Sequence, residues 1–322
     1  MLTGAIGAHL LQGAFRLTSL PRASGDLVAD RRADYAEMLY AAGDNAAASE
    51  IMLGALELAP GWVLGWFRLG EMHEAAGDLA AAAEAWRMAL KLDPEDRTGA
   101  RLKLELANEA PPSSAPPSAF VEELFDQYAP DFDASLVGKL GYRVPELLEA
   151  AIVAGDRTRF ARAADIGCGT GLMGERLRAL CDDLEGHDIS AAMLRKAATR
   201  GCYDRLEKSD LQTLDLEPAS LDLVTAADVF MYLGALEGIV GRVAKWLRPG
   251  GLFAFSVERH GGPGDFVLRP SRRYAHADAY IRRLLDEAGL GVLSLEAETI
   301  RMDRGEPIQG LIVVAERPSA AA

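Results

Sequence analysis

The residues of this chain best placed to do chemistry lie in the run Asp165-Ile166-Gly167-Cys168-Gly169-Thr170-Gly171. An apolar stretch ending in an acid runs straight into alternate glycines, and a helical pattern opens at Leu172. Glycines in such a turn adopt backbone angles closed to other residues and leave no Cβ between the chain and a ligand lying across it. The free N–H groups of the following helix suit an anionic or strongly polar group. These features together make a turn for a nucleotide-type cofactor. The pattern is Gly-x-Gly-x-Gly, with Leu172 where a dinucleotide fingerprint wants its third glycine, which disfavours NAD and FAD. A second acid, Asp188, closes the next apolar run, Leu184-Glu185-Gly186-His187-Asp188-Ile189-Ser190, 21 residues after Gly167. A carboxylate at that spacing accepts hydrogen bonds from both hydroxyls of a ribose. Its competing role, capping the next helix, falls more naturally to Ser190.

Such a turn works at the mouth of a parallel sheet, and the flanking sequence supplies one. Beyond residue 118, apolar runs bounded by Gly, Asp and Pro alternate with helical patterns, as in an α/β domain. Strands are expected near 161–167, 182–188, 204–209, 221–227, 250–257, 291–300 and 309–316, with helices at about 171–181, 190–200, 234–247 and 275–289. The turn Asp303-Arg304-Gly305-Glu306-Pro307 is too short for a helical crossover, so the last two strands should pair antiparallel. Ligands bind at the carboxyl ends of such strands. Tyr232 follows strand four, and Glu258, Arg259 and His260 follow strand five. His260 is the first candidate for a general base, with an exposed loop histidine as the alternative, and Arg259 is a candidate for receiving an anionic substrate.

Residues 29–109 read differently. At an offset of 34, Gly43-Asp44 recurs as Gly77-Asp78, Ala48 as Ala82 and Ala55 as Ala89, while Ala59-Pro60 aligns with Asp93-Pro94. That period is the tetratricopeptide length. The second copy carries Trp66, Leu69, Gly70, His73, Gly77, Ala82, Trp86, Ala89 and Pro94. Gly70 and Ala82 let two antiparallel helices approach, Trp66 and Trp86 fill the space between them, and Pro94 stops the second helix. The first copy is degenerate, with Arg32, Tyr35 and Ala36 at the positions of Trp66, Leu69 and Gly70. Because about three repeats are needed to bury a continuous core, a third helical partner is expected: the leader, a helix starting near Arg97, or the second domain. The prolines of 110–118 favour an extended spacer. The expected organisation is a leader at 1–28, an all-α repeat domain at 29–109, a linker at 110–118 and an α/β domain at 119–322.

Composition narrows the function. The 34 basic and 48 acidic residues leave a formal charge of −14, a surface that repels phosphate backbones and anionic lipids, so neither nucleic acid nor membrane is an expected partner. Cys168, Cys181 and Cys202 include no Cys-x-x-Cys pair, against a disulfide framework or thiolate zinc site. The histidines show no spacing for a shared metal. The first 15 residues lack a basic n-region and meet Arg16 before a spanning length accumulates. A reducing cytoplasm is the expected location.

The glycine turn, with Asp188-Ile189-Ser190 and Met193, resembles that of class I S-adenosylmethionine-dependent methyltransferases over about 119–322. The resemblance implies a Rossmann-like, seven-stranded, mostly parallel sheet with an antiparallel last strand, and S-adenosylmethionine as cofactor. It also implies site residues. Asp165, Gly167, Cys168, Gly169 and Gly171 would surround the methionine portion, Asp188 with Ile189 and Met193 the ribose side, and Asp210 with Leu211 the adenine. Asp228, in the segment 226–233 with Tyr232, would pass the methyl donor and line the acceptor pocket. A helical lid over 119–145 would bring Tyr128, Phe132 and Tyr142 to the cofactor, although Phe120, Leu124, Tyr128 and Phe132 also recur at the spacing of an ordinary packed helix. More narrowly, the repeats joined to Phe125-Asp126-Gln127-Tyr128-Ala129-Pro130-Asp131-Phe132-Asp133, Leu140-Gly141-Tyr142-Arg143-Val144-Pro145 and Arg273-Tyr274-Ala275-His276 resemble predicted bacterial methyltransferases that contain tetratricopeptide repeats. That group supplies no substrate. The expected activity is methyl transfer to a small-molecule or carrier- or protein-bound acceptor, with the repeats contacting a protein or peptide partner or part of the substrate. The alternative is a repeat scaffold whose Rossmann-like domain binds the cofactor without turnover.

Overall fold

The structure, a computed structural model, describes residues 20–155, 159–303 and 305–319. Most of the expected leader lies outside the described residues. The chain divides into two compact units: the sequence up to Gln127 together with Pro270–Arg272, and Tyr128–Arg269 together with the chain from Arg273 onward.

The first unit is helical: α1 (Leu27–Ala41), α2 (Asn45–Leu56), α3 (Val63–Ala75), α4 (Leu79–Leu92), α5 (Ala100–Leu106) and α6 (Ser118–Tyr128), the last residue of which opens the second unit. The 34-residue period is visible in the turns. Gly43 and Gly77 take φ of +85° and +84°, and the following aspartates cap α2 and α4, Asp44 accepting from the Ala47 N–H at 3.2 Å and Asp78 from the Ala81 N–H at 3.0 Å. Between α3 and α4 the backbone of Gly70 lies so close to the Trp86 indole that a Cβ would stand 2.2 Å from Nε1. Trp86 is fully buried, and Trp66 bridges the cluster around Met52 and Leu69 to the one around Phe67 and Trp86. Of the three partners expected for the two hairpins, α5 is seen on α4, burying Ala100 and Leu104. Phe120 of α6 packs within 2.8 Å of where a Gly99 Cβ would be. The segment expected as one lid is therefore divided, with residues 119–127 in the first unit and 128–145 in the second.

The second unit opens with a 3-10 turn at Ala129–Asp131, α7 (Phe132–Leu140) and α8 (Val144–Val153). The alternation follows: β1 (Phe160–Ile166), α9 (Leu172–Leu177), β2 (Cys181–Asp188), α10 (Ala191–Arg200), β3 (Arg205–Lys208), β4 (Leu221–Ala226), α11 (Glu237–Trp246) and β5 (Leu247–Glu258). A hairpin of β6 (Phe266–Leu268) and β7 (Tyr274–His276) precedes α12 (Asp278–Glu287), β8 (Gly291–Asp303) and β9 (Glu306–Glu316). The seven-stranded sheet runs β3-β2-β1-β4-β5-β9-β8, parallel from β3 to β5, with β9 antiparallel to both neighbours. This is the expected architecture. Its middle strands are apolar on both faces, as in a sheet covered on both sides; all six residues of β4 are buried.

Three local expectations differ from the structure. The helix after the glycine turn stops at Leu177 because Arg178 turns back to the carbonyls of Cys181 and Asp182, at 2.7 and 2.8 Å. The helix expected from 234 starts only at Glu237, since Gly234 is wedged under Phe266 and Tyr274. Residues 275–276, expected to open a helix, belong instead to the strand Tyr274–His276. There Tyr274 and His276 set their rings 5.9 and 6.2 Å from Phe266 across the hairpin, a cross-strand arrangement that an extended backbone allows.

Two helix-interior glycines of the repeat unit, Gly70 and Gly54, should respond oppositely to alanine. Gly70→Ala must displace Trp86 and should destabilise by about 1–3 kcal/mol. Gly54→Ala adds a methyl 3.5 Å from the nearest Arg32 atom and should be neutral or stabilise by up to about 1 kcal/mol. Urea unfolding of the two variants checks both signs.

Candidate functional site

The loop after β1 has a defined construction. Its three glycines, Gly167, Gly169 and Gly171, all take left-handed φ, +72°, +54° and +93°. The Gly167 and Cys168 N–H groups both donate to the His187 carbonyl, at 2.7 and 2.9 Å, which ties the loop to the end of β2. Gly167 admits no Cβ, because one would meet a Val229 methyl at 2.4 Å; beside Gly169 the space is open. Asp188 secures the arrangement. One carboxylate oxygen accepts from the Gly169 N–H and the other from the Ser190 N–H, both at 2.8 Å. Ser190 in turn caps α10 by accepting from the Met193 N–H at 3.1 Å. Asp188 is thus 8% exposed.

Asp165 is fully buried and braces the sheet. Its oxygens accept from the Tyr203 hydroxyl at 2.6 Å and the Thr225 hydroxyl at 2.8 Å. Burial pushes its pKa up to about 6, with the two hydrogen bonds working the other way. Cys168 is buried and its thiol is pushed well up by desolvation, a poor nucleophile. Ile189 is half-buried and Met193 fully buried. Asp210 shapes a turn, accepting from the Gln212 N–H at 2.8 Å, and the Leu211 carbonyl accepts from Arg242 at 2.6 Å. Tyr128 and Phe132 are half-buried. Tyr142 is buried in the core beside Val144 and Leu148, its phenol pushed well up by desolvation.

The first turn of α7 and the residues before it are latched to the glycine loop and α10. Asp133 accepts from the Thr170 hydroxyl at 2.5 Å and from Arg200 at 2.6 Å, while Arg200 also donates to the Thr170 carbonyl at 2.6 Å. Lys196 reaches the Pro130 carbonyl at 2.7 Å.

At the ends of β4, β5 and β8 lies a second cluster, part of which the sequence reading missed. Asp228 takes φ of +57°, unfavourable for a non-glycine residue. Its N–H donates to Ser256 Oγ at 2.9 Å, and its carboxylate accepts from Arg301 at 2.9 and 3.0 Å. Glu258 accepts from Arg301 and, at 3.2 Å, from Arg269. Arg273 stands 4.0 Å from the Glu258 carboxylate. Arg301 and Arg273 were not among the expected site residues; a lone arginine at the end of an edge strand was the available signal for Arg301. Arg259 forms a two-pronged pair with Asp278, at 2.7 and 3.0 Å.

The histidines differ in kind. His260 Nδ1 accepts from the Gly262 N–H at 3.1 Å, so the neutral ring carries its proton on Nε2, a buried atom without a partner. Service as a base at Nε2 would require that bond to break and the tautomer to change. His276 is fully buried, with Nε2 donating to the carbonyls of Leu233 and Gly234 at 3.0 and 2.9 Å. Burial holds its pKa down to about 4. Among the described residues no group of three or more His, Cys, Asp or Glu side chains is arranged to hold a metal ion, and no helix is long and apolar enough to cross a membrane.

Comparison with known proteins places this geometry. Residues 164–255 match the family model of a methyltransferase domain, and residues 63–96 that of a tetratricopeptide repeat. The chain is 32% identical over 99 residues to the malonyl-[acyl-carrier protein] O-methyltransferase of Enterobacter lignolyticus, covering 31% of this chain and 39% of that protein. It is 30% identical over 103 residues to the ubiquinone biosynthesis O-methyltransferase of Burkholderia vietnamiensis, covering 30% of this chain and 44% of that protein. The chain thus spans less than half the length of these curated relatives. Among solved structures, the magnesium protoporphyrin IX methyltransferase of Synechocystis PCC 6803 with bound SAH shares the fold, with a TM-score of 0.50, 19% identity and coverage of 62% of this chain and 99% of that one.

The His276 environment predicts a pH dependence. Its folded pKa of about 4 lies below the ordinary 6.5, so the native state binds fewer protons between those values. Its contribution is complete above pH 6.5 and is lost as pH falls toward 4, by on the order of 3 kcal/mol. Asp165, held up at about 6, acts with the opposite sign in an overlapping window. Urea midpoints from pH 7.5 to 4.5 should therefore fall less steeply for His276→Gln than for the wild type.

Proposed function

We propose, from the premise that the second unit is a class I S-adenosylmethionine-dependent methyltransferase domain preceded by tetratricopeptide repeats, that the protein transfers a methyl group from S-adenosylmethionine to a small-molecule or carrier- or protein-bound acceptor. The observation that carries this reading is the Asp188 carboxylate joined to the Gly169 and Ser190 amides beside three left-handed glycines. The residues fit the cofactor: the space a Gly169 Cβ would occupy is open, and Asp188 is an acceptor suited to vicinal hydroxyls. Asp188 and Ile189 would hold the ribose with Met193 beneath, Asp210 and Leu211 the adenine side, and the backbone of Gly167, Cys168, Gly169 and Gly171 the methionine portion, with Asp165 bracing that loop from below and Asp228 beyond it. Tyr128 stands as the contact from the covering segment.

S-adenosylmethionine, when bound, supplies a methyl carbon on a sulfonium, and transfer forms one bond to the acceptor as the C–S electron pair returns to sulfur. The protein has to align the reactants and exclude water. The Asp133–Thr170–Arg200 latch serves that end by fixing the start of α7 against the glycine loop. Tyr232, Glu258 and His260 stand toward the acceptor, and Glu258, engaged by Arg301 and Arg269, is held as a positioning group. The two curated relatives are O-methyltransferases by name, which supports an oxygen acceptor, and one acts on a carrier-bound malonyl group by name. The repeats are the surface for a protein or peptide partner or for a carried substrate. Their exposed apolar side chains on α1, among them Leu27, Tyr35 and Met38, support that role.

Calorimetric titration with S-adenosylmethionine, S-adenosylhomocysteine and NAD tests the proposal. Both adenosyl compounds should bind and NAD should not. Asp188→Ala should weaken adenosyl binding by about 1–3 kcal/mol through loss of charge-assisted hydrogen bonds. A folded wild type that binds neither adenosyl compound would overturn the reading, and unchanged affinity in Asp188→Ala would remove the ribose assignment.

A further inference from the structure

Five charged side chains converge where β4, β5 and β8 end: Asp228, Glu258, Arg301, and Arg269 and Arg273 from either side of the hairpin turn. Three guanidiniums meet two carboxylates. Arg301, 1% exposed, engages Asp228 and Glu258, yet its Nε has no hydrogen-bond partner among the described residues. Arg269 divides its donors between Glu258 and the Arg259 carbonyl. Arg273 has the longest ion pair of the three. Its side chain is 12% exposed, and the Glu258 oxygen stands 4.0 Å away, beyond hydrogen-bond reach. A guanidinium so far from water is costly to bury unless an anion meets its donors. Its planar fork matches the two oxygens of a carboxylate.

We propose that Arg273, backed by Arg301, is a carboxylate-binding subsite, and that the methyl acceptor is a carboxylate-bearing monoanion. The inference rests on the methyltransferase reading and narrows it to a substrate class. Position assigns the subsite to the acceptor rather than to the cofactor. In the order β2-β1-β4-β5, Glu258 ends the third strand on from the one that Asp188 ends, a separation of about 14 Å at normal strand spacing. The left-handed backbone at Asp228, held by Ser256 and Arg301, is strain of the kind that collects at ligand sites. A surplus of one guanidinium suits a carboxylate better than a phosphomonoester dianion.

The test uses the full chain saturated with S-adenosylhomocysteine and titrated calorimetrically with benzoate and hexanoate, then with the neutral benzamide and hexanamide. The wild type should bind at least one acid roughly tenfold or more tighter than its amide. Arg273→Met should abolish that preference and Arg273→Lys should retain part of it, while S-adenosylhomocysteine affinity stays within about twofold in both. Equal binding of acids and amides by the wild type, which needs no variant to fold, would overturn the subsite. A roughly tenfold loss of S-adenosylhomocysteine affinity in Arg273→Met, absent for 5′-methylthioadenosine, which lacks the amino-acid portion, would assign the guanidinium to the cofactor's own carboxylate and also overturn it. Failure of the wild type to bind S-adenosylhomocysteine at all would instead defeat the methyltransferase reading, and it would be seen before any acid is added.

Discussion

The carboxylate of Asp188 is the point on which the C-terminal unit turns. It joins two backbone amides that belong to different connections, Gly169 after β1 and Ser190 after β2. With the His187 carbonyl accepting from Gly167 and Cys168, it holds the first loop in a shape that only glycine at alternate positions permits. Much else is referenced to that loop. Val229 packs into the space left by the absent Gly167 side chain, which sets the course of the chain after β4. Thr170 presents its hydroxyl and carbonyl to the Asp133–Arg200 latch. Ser190 starts α10, whose Arg200 and Lys196 reach the start of α7 and the residues before it. One buried anion therefore coordinates two strand ends and the segment packed over them.

Asp165 and Asp188, two of the buried acids of the parallel strands, do different work because their surroundings differ. Asp165 faces hydroxyls, from Tyr203 and Thr225, and burial raises its pKa. Asp188 faces backbone amides, donors that stabilise the charged form. Asp188 is suited to tying two loops together through those amides. Asp165 is better suited to tying β1 to its neighbours beneath the loop.

What the sequence made legible was local in the chain. The glycine turn, Asp188 and the caps at Gly43-Asp44 and Gly77-Asp78 each lie within a few residues, and their backbone demands are written in residue type. The antiparallel pairing of the last two strands followed from the same logic, since so short a turn admits no crossover. Residues 275–276 of β7 read as the start of the following helix and β6 is not foreseen, because the hairpin's stability comes from rings brought together across the turn, Phe266 on Tyr274 and His276, and that pairing leaves no periodic trace. The break at Gly234 has the same origin. Glu258 was recognised from its place at a strand end, but its arginine partners are 11 and 43 residues away in the chain, and no spacing rule connects them.

This division between near and distant residues also separates what relatives can tell from what they cannot. The stretch matching the methyltransferase model, 164–255, contains the glycine loop, Asp188, Asp210 and Asp228. It ends before Glu258, Arg273 and Arg301. The glycine loop and Asp188 thus belong to segments that a short alignment captures, and they are the part shared with proteins whose acceptors, by their names, differ. The charged cluster at the end of β5, the hairpin and the end of β8 lies outside that stretch. Because a fold of this kind carries many chemistries, the substrate must be sought in the charge and shape of those later elements, where three guanidiniums surround two carboxylates at the mouth of the sheet.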